Sequence, residues 1–337
     1  MLWEVLVLVL GTGLAQTCGV GQEFVLLSNS VEMPRVGFGL AGMRGAATER
    51  SVEEHTSQGF ALLDGAEATE WYDDEAAGRA VARLPNRTAL FLTSKIHPAN
   101  LHSVPESVTR MLQRWNNTSY MDLVLLHYPG CGSWIPHCRG KVGGDWKSAY
   151  RALEHLYDQG VIRALGVSNF NLKQLQTLYE MVPTKLHVVQ DWMDPFHQQG
   201  ELLEWAAKRN IAVTAYSSFG AQWEGQIGKN LVLESHVLRD IATKRQVPIT
   251  SVVLAWLIVR KNVAVIPRST DSGHIATNAK FLQPGYARSL LTEEDMDRID
   301  LLDDLYDVGT REQCQGAAPP SKLCDTKCRA TCSGKDW

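Results

Sequence analysis

Short apolar runs alternate along the chain with longer segments whose apolar residues recur every three or four positions. Such runs are typical of parallel strands buried on both faces, and the periodic segments are typical of amphipathic helices. The candidate strands are 36–40, 61–66, 89–96, 121–128, 164–169, 187–192, 211–216 and 263–268. The clearest candidate helices are 75–83, 146–159, 172–182, 201–209 and 236–261, and Pro248 divides the last into two.

Eight strand-then-helix units predict an α/β protein, either a closed (β/α)₈ TIM barrel or an open doubly wound sheet. No G-x-G-x-x-G follows an early strand, which argues against a dinucleotide-binding open sheet. We therefore predict one barrel domain over 24–305. It begins with a β-hairpin that turns at 28–30.

The first 15 residues differ from the rest of the chain. They form an apolar run with small residues at Gly13 and Ala15, as expected for a signal peptide cleaved after Ala15. Glu4 and the lack of Lys or Arg depart from that pattern, and a first buried strand is the alternative. No stretch reaches the roughly 20 apolar residues that span a bilayer.

Cysteines are concentrated in two places, which agrees with export. Cys131 and Cys138 share one loop, and a Cys-rich C-terminal extension over 306–337 holds Cys314, Cys324, Cys328 and Cys332, leaving Cys18 alone. In an oxidising compartment this pattern predicts disulfides, with three pairings open in the extension. A zinc site is the alternative, but the extension lacks histidine.

Glycosylation signals and charge bear on location and partners. N-x-S/T triplets occur at Asn86, Asn116 and Asn117, and each precedes a candidate strand, away from the barrel's active face. We expect a glycoprotein of the secretory pathway, in the endoplasmic reticulum lumen or secreted. The net charge of −4 gives no reason to expect a nucleic-acid or membrane-surface partner. We expect a monomer that acts on a small molecule.

Four ionisable residues lie at or just after the ends of three successive candidate strands: Asp64, Tyr72, Lys95 and His127. Barrel geometry directs such residues into one mouth. A lysine ammonium would lower the pKa of the phenol toward neutrality, and a buried aspartate would hold that ammonium in place. A histidine beside the phenol could orient a carbonyl oxygen. Singly each could be a structural residue; together they predict acid catalysis.

Several segments resemble the signatures of the aldo-keto reductase family, in family order. They are LLDGA, EWYDDEAAGRAV, FLTSKI, LVLLHYP, LEHLYDQGVIRALGVSNF, AYSSFG and VIPRST, and the similarity runs from about Phe24 to Leu305. The resemblance implies that Asp64, Tyr72, Lys95 and His127 form the catalytic tetrad. It also implies hydride transfer from NADPH to a carbonyl carbon, with the tyrosine protonating the oxygen.

The resemblance further implies a nucleotide site. Ser168, Asn169 and Gln190 would bind the carboxamide, Tyr216 would stack on the nicotinamide, and the pyrophosphate would follow Ser217, Phe219 and Gly220. Arg268 and Ser269, helped by His274 and Asn278, would bind the 2′-phosphate of NADPH, because an arginine fork pairs with phosphate oxygens.

Some positions depart from the family pattern. Counting back from Gly78 aligns Trp71, rather than Tyr72, with the proton donor, and we expect an extra residue there to turn Tyr72 inward. His274 stands where arginine is common, and Thr277 where glutamate is common, which should loosen the adenosine end. Trp71, Trp134, Met193 and Phe196 are predicted to form walls of the substrate pocket, together with a loop that a Cys131–Cys138 bridge would close.

Two other functions stay open on the sequence. A barrel that keeps the nucleotide site only as a redox sensor or interaction module is one, and Trp71 in place of the donor would favour it. A glycoside hydrolase is the other, since carboxylates such as Asp74 and Asp191 are present. That chemistry gives no role to Lys95 or His127.

Overall fold

The computed structural model describes residues 22–138 and 144–303. Eight parallel strands follow the chain order around one sheet, from β3 to β10. The ten strands are β1 (Phe24–Leu26), β2 (Glu32–Pro34), β3 (Gly37–Gly39), β4 (Leu62–Asp64), β5 (Phe91–Ile96), β6 (Leu123–Leu126), β7 (Leu165–Ser168), β8 (Val188–Trp192), β9 (Ala212–Tyr216) and β10 (Val263–Val265).

The sheet closes on itself. Val36 and Val265 form a parallel bridge, and the Val265 amide donates to the Arg35 carbonyl at 2.9 Å. The predicted (β/α)₈ barrel is thereby confirmed, and all eight predicted strands overlap the observed ones, with ends that differ by at most three residues. The predicted signal peptide (1–15), Cys18 and the C-terminal extension (306–337) lie outside the described residues.

Helices cover the outside of the barrel. They are α1 (Gly45–Ser57), α2 (Asp74–Val81), α3 (Val104–Arg114), α4 (Trp146–Asp158), α5 (Leu172–Met181), α6 (Gly200–Ala207), α7 (Ala221–Ile227), α8 (Leu231–Glu234), α9 (His236–Arg245), α10 (Ile249–Ile258), α11 (Ser272–Ala279), α12 (Tyr286–Leu290) and α13 (Glu293–Asp300). The predicted division at Pro248 is observed, because proline lacks the N–H that a continuous helix needs. Within the described ranges, no helix has the length and apolar character to cross a bilayer.

Two cores hold the barrel together. Every second strand residue points inward, so Leu62, Phe91 and Leu123 fill the interior while their neighbours pack against the helices. The hairpin β1–β2 forms as predicted, and Val25 and Met33 pack against the interior cluster from the end at which the strands begin. The opposite end, where the strands finish, holds the open cavity described next.

Candidate active site

Strand alternation brings the predicted polar residues to one mouth. In β4, β5 and β6 the inward series Leu62–Asp64, Phe91–Lys95 and Leu123–His127 each begins with an apolar core residue and ends with an ionisable one. The same period carries Ser168, Gln190 and Tyr216 to the inner rim of β7, β8 and β9. A cavity of about 680 Å³ opens there.

The floor of the cavity is a buried ion pair. Lys95 Nζ lies 2.5 Å from Asp64 Oδ1 and also donates to the Gly65 carbonyl at 2.7 Å. The second oxygen of Asp64 accepts from the Gln190 amide at 2.8 Å. Burial acts to lower the pKa of Lys95, but Asp64 and other nearby oxygens raise it above its ordinary value. Lys95 is therefore a fixed cation beneath the cavity.

Tyr72, not Trp71, faces that cation. The Lys95 ammonium lies 4.9 Å from the centre of the Tyr72 ring, and the His127 ring lies 6.1 Å from it. The Trp71 ring stacks against Trp134 at 6.0 Å and meets the His127 ring edge-on, also at 6.0 Å. The expected inward turn of Tyr72 is what the geometry shows.

Helix α2 explains this orientation. Its N-cap Asp73 accepts from the amides of Ala76 and Gly45, and Asp74 is buried beside it, accepting from Ser94 and Trp115. These contacts fix the segment that ends at Tyr72. Burial raises the pKa of Asp74 to about 6, against the pull of these donors and of Lys95.

The predicted pKa shift of the phenol was wrong in sign. Burial raises the pKa of Tyr72 above its ordinary value, and it outweighs the neighbouring Lys95 ammonium, which acts to lower it. The phenol therefore holds its proton at neutral pH. Burial, with Lys95 and His97 nearby, holds the pKa of His127 well below its ordinary value, so this imidazole is neutral.

A polar groove continues from these residues along the rim. Asn169 donates to the His127 carbonyl at 2.9 Å and accepts from the Tyr216 hydroxyl at 2.6 Å. Ser168, Asn169, Gln190 and Tyr216 therefore lie together beside the tetrad, as predicted. One buried nitrogen of His127, Nδ1, has no hydrogen-bond partner within the described residues.

The groove ends at Arg268. Ser217 and Phe219 line it, and Gly220 follows with φ of 84°, a conformation that glycine adopts without strain. Arg268 lines the far end and donates to the Ala41 carbonyl at 2.9 Å. A flat ring platform, amide donors and a distant guanidinium suit a nicotinamide nucleotide that carries phosphate, so the residues present fit that cofactor.

Of the remaining predicted site residues, some line the cavity and others do not. Ser269 bonds to Asp271, and His274 is exposed beside it; Asn278 is buried on the same helix, α11. Trp71 and Trp134 line the cavity as predicted. Met193 is fully buried in the outer core, and Phe196 packs against that core. Neither lines the cavity, because both pack in the core between the barrel and its helices, so the prediction that they form its walls does not match their positions.

Three residues in or near the cavity were not predicted from the sequence. Tyr128 stacks against His127 at 4.8 Å, and its position directly after the histidine was the available signal. Asn230 donates to the Phe219 carbonyl at 2.9 Å and so supports the groove from outside. Glu70 lies between two histidines, two residues before Tyr72. Only tertiary structure could have revealed Asn230 and Glu70.

The fold and the site define a (β/α)₈-barrel protein whose cavity has a buried lysine beneath a tyrosine ring, beside a polar groove. The aldo/keto reductase family pattern matches residues 36–304, and the chain belongs to that family.

Three relatives are similar to this chain over most of their own length. The chain is 30% identical over 307 residues to the NAD(P)H-dependent D-xylose reductase I,II of Candida tropicalis, covering 83% of this chain and 92% of that protein. It is 32% identical over 291 residues to the 9,11-endoperoxide prostaglandin H2 reductase of Trypanosoma cruzi, covering 85% and 93%. It is 30% identical over 299 residues to the NADPH-dependent codeinone reductase 1-4 of Papaver somniferum, covering 83% and 89%.

A solved structure supports the fold. The crystal structure of an aldo/keto reductase from Brucella melitensis superposes with a TM-score of 0.70 at 26% identity. The match covers 84% of this chain and all of that one.

Proposed function

We propose that this protein is an NADPH-dependent reductase of aldehydes or ketones in which Tyr72 is the proton donor. The observation that carries the proposal is the placement of the Tyr72 phenol over the Lys95 ammonium, beside a neutral His127. The family and its NADPH-dependent relatives support the cofactor and the reaction class. Nothing in the site favours a purely nucleotide-sensing module.

The residues divide the work as follows. NADPH, when bound, supplies a hydride to the carbonyl carbon. The neutral His127 ring donates an N–H to the carbonyl oxygen and orients it. The raised pKa keeps a proton on Tyr72 until charge develops on that oxygen; the phenol then donates it, because an alkoxide is far more basic than a phenolate. Lys95, held by Asp64, stabilises the phenolate that remains.

The test is Tyr72→Phe, assayed by NADPH oxidation against a panel of aldehydes and ketones. We expect kcat to fall by about 10²–10⁴-fold, the usual contribution of a positioned general acid. The dissociation constant for NADPH, measured by fluorescence titration, should stay within about twofold of the parent. Tyr128→Phe is the matched control, since it removes a second cavity phenol and should retain most turnover. Unchanged turnover in Tyr72→Phe removes this residue from the mechanism.

We also propose that the protein enters the secretory pathway, with residues 1–15 as the signal peptide. The disulfide between Cys131 and Cys138 supports this, since such bonds persist in oxidising compartments. Asn86, Asn116 and Asn117 are exposed and precede β5 and β6, at the end of the barrel opposite the cavity. Expression of the full chain in cultured animal cells should give a glycosidase-sensitive product that begins at Gln16. An unglycosylated product that retains Met1 contradicts the proposal.

A further inference from the structure

The loop closed by the Cys131–Cys138 disulfide, here called the tethered segment (131–138), forms one side of the cavity mouth. We propose that it is a fixed aromatic wall that selects carbonyl compounds bearing a flat ring system. This inference rests on the proposed function and names the substrate class of that site.

The tethered segment has its own small core. Ile135 and Cys138 are buried together with Ala99, and Trp71 and Tyr128 pack against this cluster. The disulfide joins the two ends of the segment, which restricts the conformations open to it. The wall is therefore held at its base rather than left free to move over the cavity.

A close contact between a carboxylate and an imidazole joins the tethered segment to the segment that carries the proton donor. Glu70 Oε2 lies 3.1 Å from His137 Nδ1. Its other oxygen accepts from His97 Nε2 at 2.8 Å; that nitrogen carries the proton, since His97 Nδ1 accepts from the Ala99 amide. Because Glu70 is two residues before Tyr72, this side chain connects the wall to the segment that carries the donor.

The wall presents rings to the cavity. Trp134 stacks on Trp71 at 6.0 Å with an interplanar angle of 27°, and meets the Tyr128 ring edge-on at 5.1 Å. Trp134 is still 61% exposed. A large apolar side chain held exposed at the mouth of a cavity is typical of a ligand-binding surface.

The position of these rings specifies the ligand. A carbonyl oxygen held by Tyr72 and His127 places its substituent next to Trp71, whose ring lies 6.0 Å from His127. A flat ring there gains stacking beyond simple burial, by about three- to tenfold in kcat/KM. A short aliphatic chain does not reach Trp134 and gains nothing from it.

The experiment compares kcat/KM for 2-naphthaldehyde and propanal in three variants, each referred to the parent. Trp134→Leu keeps apolar bulk but removes the ring, and Cys131→Ser/Cys138→Ser releases the tether. Trp205→Leu, on α6 and outside the lining of the cavity, is the control for the loss of an indole elsewhere in the protein. We expect the first two to lose about three- to tenfold on naphthaldehyde and less than twofold on propanal, with the control equal on both.

Each other outcome is decisive. Equal losses on the two aldehydes, or no loss on either, overturn the wall while leaving the reductase intact. A tether variant that behaves like the parent, beside a selective Trp134→Leu loss, overturns the role of the disulfide. A parent protein that oxidises NADPH with neither aldehyde nor any panel ketone overturns the proposed function itself, and the wall with it.

Discussion

Lys95 Nζ lies 2.5 Å from Asp64 Oδ1, and both side chains are at most 2% exposed. The pairing keeps the pKa of Lys95 above its ordinary value although burial acts to lower it. A lysine whose pKa is raised on folding stabilises the protein fully below its unfolded value, and that stabilisation is lost as the pH rises through the folded one. The pair thus links the charge under the phenol to the stability of the barrel.

Asp64→Asn tests this link. Removing one partner leaves an uncompensated buried ammonium, so we expect the free energy of unfolding to fall by about 3 kcal/mol in urea titrations at pH 7. The alkaline limb of the kcat/KM profile should also move to lower pH, because the pKa of Lys95 falls. Gln190→Leu removes only the second contact to Asp64 and should leave that limb in place. An unmoved alkaline limb in Asp64→Asn contradicts the argument.

Strand positions were predictable because parallel barrel strands are continuous apolar runs. The ends differed by up to three residues, since residues such as His127 continue the pattern past the last paired residue of the strand. Short helices such as α7, α8 and α12 are below the length at which a 3.6-residue period is detectable. Helix α1 buries Thr48, Ser51 and His55 beside Val52, so it shows little apolar period.

Most residues of the site could be predicted from the sequence, but the cause of the orientation of Tyr72 and the direction of its pKa shift could not. Asp64, Lys95 and His127 could be assigned because each lies at or just beyond a strand end, and Tyr72 because its segment resembles a family signature. That Tyr72 rather than Trp71 faces Lys95 depends on the capping of α2 by Asp73. The direction of the pKa shift of Tyr72 depends on its burial. Neither quantity can be obtained from spacing along the chain.

The buried carboxylate of Asp191 leads us to expect that a neutral substitution at this position stabilises the protein. It lies in β8, where Oδ1 accepts from the Trp192 amide, and burial raises its pKa to about 7. The folded state thus binds this proton more tightly than the unfolded one, so the ionised carboxylate costs stability above pH 7, and the cost falls as the pH falls. Asp191→Asn should raise the free energy of unfolding by about 2–4 kcal/mol at pH 8, and by little near pH 4.

Urea unfolding at both pH values measures the Asp191 effect. Asp158→Asn, at the exposed end of α4, is the control and should change stability by less than about 0.5 kcal/mol at either pH. A loss of stability in Asp191→Asn at pH 8 would show that the carboxylate has a compensating partner.

The carboxylate of Asp271 leads us to expect that its removal changes the selectivity between NADPH and NADH. It caps α11 by accepting from the His274 amide at 2.8 Å, and its own amide donates to Ser269. Its carboxylate thus lies beside the residues proposed to bind the 2′-phosphate and repels that group. Asp271→Ser keeps a good cap and should lower the dissociation constant for NADPH about three- to tenfold, with NADH changed by less than twofold.

Fluorescence titration with the two nucleotides measures this effect without turnover. Asp145→Ser, which replaces the N-cap of α4 in the same way, should leave both constants unchanged. Parallel tightening of NADPH and NADH in Asp271→Ser would place the 2′-phosphate elsewhere.

Gly220 offers the sharpest test of the nucleotide groove. Its φ is 84°, and a Cβ there would lie 2.1 Å from Asn230 Oδ1. Asn230 would have to move, and its hydrogen bonds to the Phe219 carbonyl and the Leu233 amide hold the groove in shape. Gly220→Ala should therefore raise the dissociation constant for NADPH by about tenfold or more, the equivalent of one lost neutral hydrogen bond.

Gly228→Ala is the matched control for Gly220→Ala. Gly228 has φ of 70° but open space where its Cβ would be, so it carries the same backbone strain without the clash. Both variants should lose about 1 kcal/mol of unfolding free energy from that strain. Only Gly220→Ala should weaken the binding of NADPH in fluorescence titrations. Equal affinities for NADPH in the two variants would mean that Asn230 does not shape the groove.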